Sequence, residues 1–144
     1  MRHGFDTSLL VAHEVASHSD HVGARRRVSE LRASGAGFAI AAQVVTEFMH
    51  IVTDAKRFTA PLTVEQALER ARAWWDSPDV ARVEPDDDAV KWFLHAMVRH
   101  QLGRKRVLDT MLAATYRSAG ITSLLTLNAD DFAVFGELSC VGAA

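Results

Sequence analysis

The chain has 144 residues, with sixteen Lys plus Arg against eighteen Asp plus Glu and a net charge of -2. That length fits one domain, residues 1–144, whose core needs no disulfide or structural metal, and the near-balanced charge excludes a general nucleic-acid coat protein; any nucleic-acid contact must come from local basic patches. The single cysteine, Cys140, excludes an intramolecular disulfide and fits a reducing compartment, and with no signal-like N-terminus and no apolar run near the roughly 20 residues that span a bilayer, a cytoplasmic location without membrane attachment is expected.

The elements follow from the N-terminus onward. A first strand ends near Phe5, although His3 and Gly4 make it less apolar than a buried strand usually is. After Asp6, Leu9 to Ala12 continue into a short helix, which Ser17, Ser19 and Asp20 interrupt before a polar helix from about His21 to Ala33. Gly35 and Gly37 break the chain, Phe38-Ala39-Ile40 is a short buried strand, and a helix from about Ala42 to Thr53 carries Val44, Val45, Phe48, Ile51 and Val52 at helical spacing. Glu47 falls inside that apolar stripe.

Pro61 and the capping-box pattern Thr63 to Gln66 open the next helix, which reaches Trp75 and ends at Ser77-Pro78. Val80 to Glu84 reads as a strand. Pro85 with Asp86, Asp87 and Asp88 starts a helix whose expected core face is Val90, Phe93, Leu94, Met97 and Val98, and whose stop is near Gly103. A further helix from about Val107 to Ala119 stops at Gly120; Thr122 to Leu127 is a strand that delivers Asn128 to Phe132, and Leu138 to Val141 is a last short strand. Short strands alternating with helices imply an α/β fold, a parallel sheet with helices on both faces, and sites in such sheets gather at the carboxyl ends of the strands.

Four acids stand out against this plan: Asp6, Glu47, Asp109 and Asp131 lie far apart in sequence, each in or beside an apolar segment. A buried carboxylate without a counter-charge costs several kcal/mol, of order ~3–5 by comparison with broken buried ion pairs. A divalent ion supplies the missing charge. Oxygen ligands without a Cys or His pattern point to Mg²⁺, with Mn²⁺ as the alternative, and the chemistry that most often uses such a cluster is phosphodiester hydrolysis.

Phe5-Asp6-Thr7-Ser8-Leu9-Leu10, Val45-Thr46-Glu47-Phe48, Leu108-Asp109-Thr110-Met111-Leu112-Ala113-Ala114 and Leu125 to Phe132 together resemble the PIN-domain ribonucleases, and among them the VapC toxins of bacterial type II toxin–antitoxin pairs. The resemblance runs from about Phe5 to Phe135. It implies a PIN-like fold, with Asp6 and Asp109 as principal metal ligands and Glu47 and Asp131 completing the catalytic pocket directly or through water. It makes Thr7, Ser8, Thr126 and Asn128 the polar residues that support them; Ser8 stands where the family often has Asn. It also implies RNA cleavage by metal-activated water to a 5′-phosphate and a 3′-hydroxyl, a homodimer, and restraint by a cognate VapB-like antitoxin whose amphipathic segment fills an apolar groove. For that groove or a dimer face, Leu9, Leu10, Phe48, Ile51, Trp74 and Trp75 are the candidates.

Other features carry less. His13-Glu14 with His18 suggests a zinc motif, but a spacing of five puts the two rings about 140° apart on a helix, where the motif needs four. Arg25-Arg26-Arg27 reads as a solvated helix face, whereas Arg104, Lys105 and Arg106, immediately before the Asp109 helix, are the better RNA-phosphate contacts. The competing readings are a catalytically silent PIN-like module that binds RNA or protein, and an RNA-processing nuclease outside any toxin pair. A phosphatase of the haloacid dehalogenase type needs a second Asp where Ser8 stands.

Overall fold

The computed structural model describes Met1–Ala144. Its centre is β1 (Arg2–Phe5), which pairs on one side with β2 (Gly37–Ala41), itself beside β3 (Val80–Val83), and on the other with β4 (Ser123–Leu125), beside β5 (Ser139–Val141). All four pairings are parallel, in the order β3-β2-β1-β4-β5. The helices are α1 (Thr7–Glu14), α2 (His21–Ala33), α3 (Ala42–Val52), α4 (Val64–Trp75), α5 (Asp87–Arg99), α6 (Val107–Ser118) and the five-residue α7 (Ala129–Ala133), with a 3-10 turn at Arg104–Arg106. None is long and apolar enough to cross a membrane.

Consecutive side chains of a strand point to opposite faces, yet Phe38, Ala39, Ile40 and Ala41 are all buried, so helices cover both sides of the sheet. Phe5 meets Trp74 of α4 edge-on with ring centroids 4.9 Å apart. Gly4, one residue earlier, faces Tyr116 of α6: a β-carbon there would come within 2.9 Å of the ring. The Tyr116 hydroxyl then donates to the Phe5 carbonyl at 2.6 Å and accepts the Ala41 N–H at 3.2 Å, pinning α6 to the ends of β1 and β2. His3 is equally internal, its Nδ1 lying 2.6 Å from Ser123 Oγ, and burial together with the N-terminal charge lowers its pKa. The two residues that dilute the apolar pattern of β1 are therefore core positions.

Four helix ends follow the expected chemistry. Thr63 and Gln66 form the reciprocal capping box on α4, with bonds of 3.1 and 3.0 Å, and Asp86 caps α5 through the Ala89 N–H. Gly35 and Gly120 take positive φ just past α2 and α6, where Ala36 N–H bonds the Leu31 carbonyl and Ile121 N–H the Tyr116 carbonyl, satisfying groups the helix leaves open. The end of α5 differs. It stops before Gly103, at Arg99, and Gln101 rather than glycine adopts the left-handed conformation, φ 52°, while Leu102 N–H bonds the Met97 carbonyl.

The core face of α5 also differs from expectation. Val90, Leu94 and Val98 are 40, 58 and 79 % exposed, whereas Ala89 and Ala96 are buried and Trp92 packs on the core. The apolar stripe is wider than the contact, and α5 buries only the edge of it that carries the small alanines. Of the expected groove residues, Leu9, Leu10, Phe48 and Trp74 belong to the core. Trp75 instead lines an apolar groove of about 300 Å³ between α3 and α4, with Val45, Met49 and Leu68.

Candidate active site

The first and fourth strands are neighbours, but the chain leaves β1 towards β2 and returns to β4 on the opposite side. A crevice opens at such a reversal, at the carboxyl ends of the strands. There lies a cleft of about 580 Å³ lined by Asp6, Thr7, Ser8, Glu47, Asp109 and Asn128, together with Val11, His18, Ile51, Arg57, Phe58 and Leu127. Three of the four expected acids thus meet across β1, α3 and α6.

Asp6 sits at the β1–α1 junction, where its backbone N–H bonds the Leu125 carbonyl at 2.9 Å and so ties it to β4. Its side chain does not cap α1. Only 4 % exposed, Asp6 accepts from Ser8 Oγ at 2.7 Å and Thr126 Oγ1 at 2.6 Å, both on Oδ2. Both hydroxyls are oriented from behind: Leu127 N–H donates to Ser8 Oγ at 3.1 Å and Asn128 N–H to Thr126 Oγ1 at 2.9 Å. Ser8, which stands where the family often has Asn, thus hydrogen-bonds Asp6 directly. Burial raises the Asp6 pKa, the two hydroxyls and the Thr7 N–H oppose that rise, and the charge of Asp131 adds to it.

Glu47, on the third helix, is half-buried and held at both oxygens: Thr7 Oγ1 donates to Oε2 at 3.1 Å and Gln43 Nε2 to Oε1 at 2.6 Å. Gln43 also reaches the Leu108 carbonyl at 2.9 Å, joining α3 to the start of α6. The sequence signal for Gln43 was its place one turn before Glu47, where side chains four apart meet. Asp109 lies in the first turn of α6, where the helix dipole favours a negative charge. Burial and the charges of Asp6, Asp131 and Glu47 nevertheless push its pKa up to about 6, with Arg106 pulling the other way.

Asp131, on α7, is not among the residues that line the cleft, but its charge is felt at Asp6 and Asp109. Asn128 lines the cleft, but the bond it contributes comes from its backbone; its side chain does not cap α7. The basic triplet is divided. Arg104 and Lys105 are exposed outside the cleft, while Arg106 turns inward, donates to the Asp131 carbonyl and leaves its buried Nε without a partner.

No three Asp, Glu, His or Cys side chains converge tightly enough to make a ready-built metal cage. The acids form a looser electronegative end to the cleft. Their chemistry nevertheless fits a hard divalent ion: every donor is oxygen, and the repulsion that adds to burial in raising Asp109 is what a cation would relieve.

Solved structures with this fold include VapC20 of Mycobacterium tuberculosis, a toxin that cleaves the sarcin–ricin loop, with a TM-score of 0.69 and 22% identity over 92% of this chain and 94% of that one. VapBC2 of Rickettsia felis, bound to a DNA fragment from its promoter, gives a TM-score of 0.71 and 14% identity over 99% and 98%. DNA-bound VapBC of Salmonella typhimurium gives 0.70 and 13% over 100% and 99%. Comparison with curated protein sequences gives no match. The family model for the PIN domain matches residues 5–138, and the chain belongs to the PIN-domain family.

Proposed function

We propose that this protein is a divalent-metal-dependent endoribonuclease of the VapC type, acting in the cytoplasm as a homodimer and held in check by a VapB-like antitoxin. The observation that carries this reading is the meeting of Asp6, Glu47 and Asp109, from three separate elements, in one cleft at the strand reversal, with the charge of Asp131 felt there. Asp6, Glu47, Asp109 and Asp131 would hold Mg²⁺ or Mn²⁺, directly or through water. Bound there, the ion would supply a lowered water pKa and neutralise charge on the phosphate.

The remaining roles belong to the chain itself. Ser8 and Thr126 fix the Asp6 carboxylate, and Thr7 and Gln43 fix that of Glu47, so these acids need little reorganisation when substrate arrives. Burial and the neighbouring acids raise the Asp109 pKa, and a bound cation would reverse that rise and favour the carboxylate. Arg104 and Lys105 remain available for RNA phosphates outside the cleft; Arg106 steadies the Asp131 backbone. The α3–α4 groove offers apolar surface for an antitoxin segment, in keeping with neighbours that are VapBC complexes. The exposed row Val90, Leu94 and Val98 supplies apolar surface of the kind a dimer uses.

Purified protein should cleave RNA with Mg²⁺ or Mn²⁺ and stop in EDTA; complete cleavage in EDTA, with contaminating nuclease excluded, would remove the metal from the mechanism. The second reading, a catalytically silent binding module, draws on the lack of a closed cage among the acids. RNA binding without cleavage at any divalent ion would favour it.

A further inference from the structure

The cleft lining holds two kinds of group. Asp6, Glu47 and Asp109 belong to its lining, and so do His18, Arg57 and Phe58, none of which is used by the carboxylate chemistry. They come from two connections, His18 from the one between α1 and α2 and the other two from the one between α3 and α4. Arg57 is the single Lys or Arg in the lining.

These groups are presented by ordered backbone. Asp54 organises the turn after α3: its Oδ1 accepts the Lys56 N–H at 2.9 Å, and its carbonyl accepts the N–H groups of Arg57 and Phe58, each at 3.1 Å. Leu62 N–H bonds the Val52 carbonyl at 2.9 Å and closes the loop. The Arg57 guanidinium has only a loose pairing, 3.8 Å to Asp54, with most of its side chain exposed. Phe58 is half-buried, with one side against the core and another part in the cleft. The Asp20 N–H donates to His18 Nδ1 at 3.0 Å, which leaves the proton on Nε2 and makes that nitrogen a donor.

We infer that His18, Arg57 and Phe58 form a nucleotide-recognition subsite for a single-stranded RNA segment flanking the bond to be cut. This rests on the nuclease reading above. Sequence-specific RNA recognition targets unstacked bases, using aromatic faces for stacking and polar groups for base edges. Arg57 takes the phosphate next to the scissile one, Phe58 offers its ring to the neighbouring base, and His18 Nε2 donates to that base or its sugar. A polyanion entering a cleft lined by three carboxylates needs a cation inside it, and the volume falls in the range of roughly 300–1,000 Å³ that holds a small ligand.

The test separates binding from cutting. In an Asp109→Asn background that prevents cleavage, the affinity for a fluorescent single-stranded oligoribonucleotide is measured with Mg²⁺ for the parent, Arg57→Ala, Phe58→Ala, Phe58→Trp and His18→Asn. Arg57→Ala and Phe58→Ala should each weaken binding about tenfold, and Phe58→Trp should restore most of it. Arg57→Ala should also flatten the plot of log affinity against log salt by roughly 0.7, one single-strand phosphate contact. Because Phe58 touches the core, its alanine variant counts only with an unchanged melting temperature; Arg57 is exposed and serves without that condition. Parental affinity and salt slope in Arg57→Ala overturn the inference, as does a parent that binds no RNA. If the parent binds RNA and the variants lose affinity as described, while the chain with Asp109 intact cuts none, the subsite stands as an RNA-binding site and the nuclease reading fails.

Discussion

At the scale of single residues, the molecule sets two carboxylates in different conditions. Asp6 is buried but receives two hydroxyl hydrogen bonds, whereas Asp109 is pushed to about 6 by burial and its acidic neighbours. An acid whose folded pKa exceeds its unfolded value of 3.8 binds its proton more tightly in the native state, so its effect on stability worsens as pH rises from about 4 through 6. Metal-free Asp109→Asn should therefore melt a few degrees above the wild type at pH 7.5, with the gap closing near pH 4. Mg²⁺ should raise the wild-type melting temperature more than that of the variant. A variant that melts lower at every pH would make Asp109 a structural residue. The acids were legible in the sequence because a lone carboxylate in an apolar segment breaks its pattern. Arg57 and Phe58 break none: each reads as an ordinary loop position until the fold brings it to the cleft.

At the scale of elements, the same distinction recurs in α5. Its wide apolar stripe allows several rotations, and only the packing of Ala89 and Ala96 against the body of the molecule selects one, leaving Val90, Leu94 and Val98 outside. In β1 the pattern fails for the opposite reason, because Gly4 is small to admit the Tyr116 ring. Gly35 and Gly120 announced the ends of their helices, but Gln101 did not, since glutamine has no preference for positive φ. That departure gives a stability prediction. Gln101→Gly should relieve the left-handed strain and stabilise the protein by about 1 kcal/mol, a rise of a few degrees in thermal unfolding. An unchanged or lower melting temperature would mean that the Gln101 side chain contributes more than its backbone conformation costs.

At the scale of the whole molecule, the alternation of helices and short strands made a parallel α/β sheet legible, but not the central place of β1, because strand order depends on which edges pair. The proposed partner is likewise a property of the whole surface. Expression of the active protein alone should arrest growth, and co-expression with a neighbouring small gene for a VapB-like protein should relieve it, with the two products co-purifying. Normal growth with active protein, and no association, would leave an RNA-processing nuclease as the better account. The position of β1 also bears on synthesis. Asp6 leaves the ribosome 120 residues before Thr126, whose hydroxyl holds it. Until β4 slots in beside β1, a growing chain carries an acid without its support and lacks Asn128 altogether. The order of translation thus delays assembly of the cleft until β4 and the residues after it have been made, whatever restrains the finished protein.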